Sequence, residues 1–439
     1  MVADGDSLDI HRARLRDGSV CDIDIRAGRI SRISESSSGR VQHSSEPGRA
    51  AVPAIEAEGR LVTESFVDAH LHLDKVYTLP MIGEAALAAY TGAGMTDAAT
   101  GIELARAVKA DYDRAWITPN VTRALRDAVR HGVLHIQAFV DVDTVSGLEG
   151  LYGVLNARAE FAAVLDIQVV AFPQDGLLRD SGASALCEQA MRLGADVVGG
   201  IPWIEHSEKD MAAHVEWACA LAAELGTRVA MLVDDTGDPS LHTSALLGRS
   251  MLEHGLVGRG VACHARAVGL YPVEEQVRLA DLAREAGLGF VSDPHTGPLA
   301  LPVERFLALG VTVALGQDDI EDAYYPYGRH NMLEVAFLAS HLLELKTSAD
   351  QAQLLDMVTR AAARVLGIAD HQLAVGNAAN LCVHHSERLV DVLREHAAPR
   401  WVISRGRIVA ETEQVTVWGS GSDPTGYVPS PRGTCAQSS

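Results

Sequence analysis

The sequence predicts an α/β protein: a (β/α)8 barrel of the TIM type carrying a small composite β-sandwich domain built from both termini. Three observations lead there. Eight apolar, strand-like runs recur roughly every 30 residues through the middle of the chain, each followed by helical spacing, the pattern of consecutive βα units and a parallel sheet. Ionisable residues collect at the C-terminal ends of those runs, where barrels of this kind assemble their sites. Strand-rich pieces without helical spacing occupy both ends of the chain.

Taken in order, "VCDIDIRAGRISRIS" alternates apolar and polar positions around Ala27-Gly28, which predicts a hairpin, and "PRWVISRGRIVAE" near residue 400 repeats the theme. Residues 1–60 and 371–415 are therefore assigned to the composite β domain and 61–370 to the barrel. The tail, 416–439, is rich in Gly, Ser and Pro and is expected to be loosely ordered. The eight barrel runs are "LVTESFVDAHLHL", "GVLHIQAFVDVD", "DIQVVAFPQDG", "ADVVGGIPWIE", "RVAMLVDD", "GVACHARA", "LGFVSDPH" and "VTVALGQDD". Between them, Val273, Val277 and Ala280 at i, i+4 and i+7 mark an apolar helix face, with Gly287 as its stop.

Bulk properties narrow the function. At 439 residues, 47% hydrophobic and 22% charged, the chain suits one large globular barrel with a smaller attachment. Its 37 Lys and Arg against 58 Asp and Glu, net −21, exclude the basic footprint of a nucleic-acid binder. The N-terminus has no apolar signal core and no run of about 18 apolar residues spans a bilayer, so no membrane partner is expected. Six scattered cysteines without a CxxC pair fit a reducing, cytoplasmic setting. The expected partner is a small molecule.

"FVDAHLHLDK" carries the chemistry. If its apolar run is a strand, His70 and His72 point to one face, ~7 Å apart along the chain, and can converge on one metal ion. Asp141, Asp143, Gln174, Asp235, His264, His295, Asp318 and Asp319 stand at the ends of the other runs, where turns alone would show Gly, Asn and Ser.

In order and spacing, "FVDAHLHLD", "FVDVD", "VVAFPQDG", "GADVVGGIP" and "GQDDIEDAYYPYGRHNML" resemble the cytosine deaminase branch of the amidohydrolase superfamily, which also holds N-isopropylammelide aminohydrolase. The resemblance covers roughly residues 15 to 411. It implies one divalent metal ion, Zn or Fe, a homo-oligomer, and hydrolytic removal of an amine from a ring carbon. It implies His70 and His72 as metal ligands and Asp318 as the carboxylate that holds the metal and takes a proton from its water. His264 matches a histidine that contacts the attacking hydroxide or the substrate oxygen, and Gln174 the amide that reads the edge of a heterocycle. Asp319 would support the site from behind, and Tyr324 stands where a tryptophan lid is found in cytosine deaminase. These residue types suit the reaction: a metal with an open position brings the pKa of water near 7, a carboxylate moves the proton, and a Gln orients a ring amide without adding charge.

Two positions depart from the family. Leu232 stands in place of the metal-binding histidine of strand five, with Asp235 three residues on as the acid, and Phe139 replaces a histidine of strand two. A set of His70, His72, His264 and Asp318 is the expected compensation, because some members of the superfamily use a strand-six histidine as a ligand. The expected function is a metal-dependent hydrolase of a C–N bond in a nitrogen heterocycle or cyclic amide, with Asp318, Asp235 and His264 as catalytic groups and Gln174, Tyr324 and Asp319 on the substrate. The alternative is a repurposed or metal-free barrel that binds a ring compound or catalyses another reaction, as Leu232 would allow. Bland readings compete at several places. Asp235 also fits a turn or helix cap, Gln174 a turn, Lys75 an ion pair with Asp74 or Asp318, and "QDDIEDA" a solvated loop. His295 is a further possible ligand or substrate contact.

Overall fold

The computed structural model describes residues 6–36, 52–83, 87–88, 106–297 and 299–417, so residues 418–439 of the expected tail lie outside it. The N-terminal strands are β1 (Leu8–Arg14), β2 (Val20–Arg26), β3 (Arg29–Glu35), β4 (Ala54–Glu56) and β5 (Val62–Glu64). Eight barrel strands follow: β6 (Phe66–Leu71), β7 (Val133–Asp141), β8 (Asp166–Phe172), β9 (Val197–Gly200), β10 (Arg228–Val233), β11 (Gly260–His264), β12 (Gly289–Ser292) and β13 (Val313–Leu315). Near the C-terminus come β14 (Leu381–Val383), β15 (Trp401–Ser404) and β16 (Arg407–Glu411).

Strands β6 to β13 are neighbours in chain order in one parallel sheet that closes nearly into a barrel. The seam between β13 and β6 is a single bridge, Leu71 to Asp318. It is made by His72 N donating to Asp318 O (2.9 Å) and Asp318 N donating to His70 O (2.8 Å). The candidate site residues thus stitch the barrel shut with their own backbones.

The run "LVTESFVDAHLHL" is two strands, not one. At Ser65 the chain leaves β5, which pairs antiparallel with β14, and enters the barrel as β6. Ser65 N donates to Asn380 O in the small sheet and Phe66 N to Gly132 O beside β7, so the switch loses no backbone bond.

The terminal strands form two four-stranded sheets, β3-β2-β1-β4 and β16-β15-β14-β5, which share one apolar core that includes Ile10, Ile23, Val62, Leu381 and Ile403. The hairpin at Ala27-Gly28 is present, with both residues at positive φ. Glu64 ties these sheets to the barrel. Its carboxylate accepts from Arg16 Nη2 (2.6 Å), Arg360 Nε (2.8 Å) and Leu373 N (2.9 Å).

Inside the barrel, Val67, Phe139, Val170, Leu232, Val261 and Val291 pack together, and Ala362, Val365 and Leu366 of the helix Arg360–Leu366 seal the N-terminal end. The sealed floor leaves the opposite rim as the open face, the usual place for a barrel site. The helix over 273–286 ends at Gly287 as expected, and of the predicted face Ala280 is buried and Val277 half-buried. Val273 is exposed at the first turn, and Gln276, Leu279, Ala280 and Ala283 are the buried residues. Among the described residues no helix is long and apolar enough to cross a membrane.

Candidate metal and active site

Site residues sit where the strands end and the backbone bends. His264 and Asp318 close β11 and follow β13 at φ 66° and 64°, the left-handed region that non-glycine residues rarely adopt. That bend turns both side chains inward over the barrel. His70 Nε2 lies 3.0 Å from Asp318 Oδ1 and His72 Nε2 3.6 Å from the same oxygen. The ring of His70 is 5.1 Å from that of His72 and 5.0 Å from that of His264, centre to centre. Of the four ligands expected from the sequence, His70, His264 and Asp318 bring one donor atom each into a single group, while His72 touches that group only through Asp318 and groups instead with Asp74 and Asp141.

Two residues the sequence reading left aside or only touched also belong there. Asp293, after β12, places Oδ2 3.2 Å from His264 Nδ1. His295 Nε2 lies 3.3 Å from Asp319 Oδ2 and 3.6 Å from Asp318 Oδ2. One donor atom each from His70, His264, Asp293 and Asp318 falls within 4.8 Å of all the others; His72, Asp74 and Asp141 form a second such group and His295, Asp318 and Asp319 a third.

The donors fit a divalent cation. Both ring nitrogens of His70, Nδ1 of His264 and both oxygens of Asp293 are buried without a hydrogen-bond partner, although their neighbours are at ion-pair distance. Groups so close yet misaligned for hydrogen bonds are poised toward a common point rather than toward each other. Burial holds His264 and His295 down to about 4, and burial with the Lys75 charge holds His72 well below its ordinary range. These imidazoles keep the lone pairs that a metal needs. For His70 burial opposes protonation, but Cys263, Asp293 and Asp318 outweigh it and push the group up. Gly316 leaves the space: a Cβ there would lie 2.3 Å from Asp293 Oδ1 and 2.7 Å from His70 Cβ.

Leu232 and Phe139, at the two departures from the family pattern, are buried in the barrel interior. Phe139 stands edge-on to His70, with ring centres 4.3 Å apart. Beside them opens a cleft lined by His72, Gln174, Ile201, Trp203, Leu232, Asp235, His264, Arg266, Asp318, Asp319 and Tyr324. Of the expected site residues, His72, Gln174, Asp235, His264, Asp318, Asp319 and Tyr324 face this space, and His70, Asp141, Asp143 and His295 do not line it.

Asp234 and Asp235 divide the labour that the sequence left open. Asp234 caps the helix Thr243–Glu253, accepting from Thr243 N (2.5 Å), Thr243 Oγ1 (2.7 Å) and Ser244 N (3.0 Å), while Asp235 turns to the cavity. There it accepts from the buried Arg266, a residue the sequence reading passed over. Lys75 pairs with Asp141 Oδ1 (2.9 Å), not with Asp74 or Asp318, and also reaches Gln174 Oε1 and His72 Nδ1 (3.4 Å). Lys109 shares Asp141 (2.9 Å) and takes Asp143 (2.9 Å) and Asp175 (3.1 Å). Burial opposes the charge on both lysines, but their carboxylates outweigh it, so both are pushed up and stay protonated. Gln174 is consequently held from below, and its Nε2 donates to Tyr324 Oη (3.4 Å). The run "QDDIEDA" is not a solvated loop: Asp318, Asp319, Ile320 and Asp322 are buried, and Glu321 alone of its acids is half-buried.

A model of the amidohydrolase family matches residues 83–410. The chain belongs to the amidohydrolase family. It is 30% identical over 398 residues to the N-isopropylammelide isopropyl amidohydrolase of Pseudomonas sp. (strain ADP), covering 90% of this chain and 95% of that one. It matches the crystal structure of 5-methylcytosine deaminase from Klebsiella pneumoniae liganded with 5-fluorocytosine at TM-score 0.83 and 27% identity, over 94% of this chain and 99% of the other. N-isopropylammelide isopropylaminohydrolase from Burkholderia multivorans matches at TM-score 0.79 and 26% identity, over 92% and 98%. This amidohydrolase is accordingly an enzyme of the deaminase and aminohydrolase kind, a hydrolase acting on C–N bonds.

Proposed function

We propose that this amidohydrolase removes an amino or alkylamino group from a ring carbon of a neutral nitrogen heterocycle, with one divalent ion, Zn or Fe, at the His70, His72, His264 and Asp318 cluster. The observation that carries the reading is the mixed lining of the cleft: Leu232, Ile201 and Trp203, which belong to one apolar cluster, line it together with the polar groups of Gln174, His264, Asp318 and Asp319. Such a space takes a flat ring with a polar edge and an alkyl or aromatic portion. When bound, the ion supplies Lewis acidity and an acidified water.

The chain's own groups do the rest. Gln174, braced by Lys75 and Tyr324, offers an amide to the ring edge without adding charge. Asp318, which burial pushes up and the His70 imidazole 3.0 Å from its Oδ1 holds down, is a carboxylate that accepts a proton and passes it to the leaving nitrogen. Asp235, fixed by Arg266, faces the ring from the opposite strand end and is the second group in reach of its nitrogens. Asp319, pushed up by burial and by Asp318, backs the site beside His295.

The same reading takes the protein as a cytoplasmic homo-oligomer, a setting that five buried, unpaired thiols among the described residues support. The experiment is a panel of aminated and N-alkylaminated pyrimidines, pterins and triazines, assayed for ammonia or alkylamine release before and after chelation. Release that chelation abolishes is the expected result. Absence of release across the panel from metal-loaded protein overturns the reading.

A further inference from the structure

We propose that Asp293 is itself a metal ligand, supplying from the end of the seventh barrel strand the coordination that Leu232 removes from the fifth. The inference rests on the metal-dependent reading above and names a donor outside the set expected from the sequence.

Position comes first. Strands β10 and β12 flank β11, whose last residue is His264. Leu232 pairs with Cys263 on one side, and on the other β12 runs out into Asp293, so a carboxylate arrives from the neighbour opposite the lost histidine. The pairing of Ser292 with Leu315 and the bond from Gly316 N to Ser292 O (3.2 Å) hold Asp293 against the β13 rim. Its carboxylate falls in the same 4.8 Å group as His70, His264 and Asp318, and ligands around an ion at about 2.0–2.2 Å need only a modest contraction from there.

Burial supplies the second argument. The Asp293 side chain has no exposure, and neither oxygen has a hydrogen-bond partner. A carboxylate in that state is costly unless a cation or a proton compensates it. The competing assignment, a carboxylate that merely orients the His264 ring, has the distance (3.2 Å) but lacks the alignment, since His264 Nδ1 is also unpartnered. Gly316 is the third observation. The missing Cβ would overlap Asp293 Oδ1 at 2.3 Å and meet His70 O at 3.0 Å, so this glycine keeps open the space where the two donors converge.

The chemical consequence follows from the donor types. Two carboxylates with imidazoles neutralise a divalent charge and are harder than a histidine-rich set, which widens acceptance toward Mn2+ and Fe2+ beside Zn2+.

The test uses the full chain, purified without chelator or histidine tag from cells supplied with Zn, Fe and Mn. Elemental analysis, Zn2+ and Mn2+ titrations and the electronic spectrum of the Co2+ form are compared for the wild type, Asp293→Ala and Asp293→Asn. An anomalous-difference map of the wild type fixes the distance independently of how the variants fold. Expected are about one ion per chain, an Asp293 oxygen within about 2.0–2.2 Å of it, and an affinity loss in both variants beyond the 10–100-fold that an outer partner commands, with a changed Co2+ spectrum. An ion in the map with both Asp293 oxygens beyond about 3 Å, or variants that keep affinity and spectrum, overturns this inference and leaves the metal-dependent reading intact. Metal-free wild type from those cells overturns the reading beneath it as well.

Discussion

Asp235 Oδ1 accepts a 2.5 Å hydrogen bond from Nε of Arg266, whose side chain is 2% exposed and whose Nη1 also donates to Thr296 O at 3.1 Å. The guanidinium thereby joins the ends of the fifth, sixth and seventh barrel strands and fixes the direction of the carboxylate. Removing Arg266 alone strands a buried acid, a change that costs about 3–5 kcal/mol. Removing both charges leaves no such orphan. The expected outcome is that Arg266→Met lowers the midpoint of denaturant unfolding strongly and that the Arg266→Met/Asp235→Asn pair is less destabilised than the sum of the singles. Additive losses would show that the two side chains do not share this bond. Asp235→Asn alone, with its fold retained, is expected to lower turnover by about 100- to 10,000-fold, the range for loss of a proton-transfer group.

Gly316 gives a prediction that separates space from charge. Gly316→Ala introduces no polar group, yet its Cβ meets Asp293 Oδ1 and the His70 side chain at distances that real contacts do not reach. Overpacking of this kind costs about 1–3 kcal/mol. The variant is expected to unfold at lower temperature and, because Asp293 and His70 must move apart, to hold divalent metal more weakly. Equal metal affinity in the two proteins, measured by competition with a chromogenic chelator, would show that the convergence at Gly316 does not matter.

Much of this architecture was legible in the sequence, for reasons that the structure makes concrete. Parallel barrel strands are buried on both faces, so runs such as "AFVD" and "VAMLVD" stand out as apolar blocks, and the polar residue ending each block marks the rim. His70, His72, His264 and Asp318 were readable because each sits at such an end. Asp293 occupies the same kind of position but was overlooked beside His295, two residues on, which carries the more familiar ligand type. Arg266 was hidden because it follows His264 by two residues, and no local pattern tells whether an arginine beyond a strand end folds inward to an acid 31 residues earlier. The burial of "QDDIEDA" was likewise invisible, because its acids are enclosed by groups distant in sequence: His295 lies against Asp319, and the Lys75 charge acts on Asp319 to favour its carboxylate. Val273 shows the opposite limit, where correct helical spacing still selected an exposed residue.

Glu64 carries the pH prediction, away from the metal cluster. Burial pushes its carboxyl up, but the Arg16 and Arg360 guanidinium groups and the Leu373 N–H outweigh burial and hold it below the usual range. A group depressed in the folded state stabilises fully above its unfolded value of about 4.3 and loses that contribution as pH falls toward its folded value. Below both values the contribution is gone. Glu64→Gln keeps the shape but not the charge, and the loss of charge-assisted hydrogen bonds costs about 1.5–3 kcal/mol near neutrality. Because Arg16 also holds Asp356 Oδ1 at 2.5 Å, the variant should loosen the attachment of the terminal sheets to the barrel floor and not the cavity rim. Denaturant unfolding of the two proteins between pH 7 and pH 3 is therefore expected to show curves that differ most at pH 6–7 and converge on acidification, with unchanged metal content at pH 7. A stability gap that stays constant over that range would place the depressed carboxylate elsewhere.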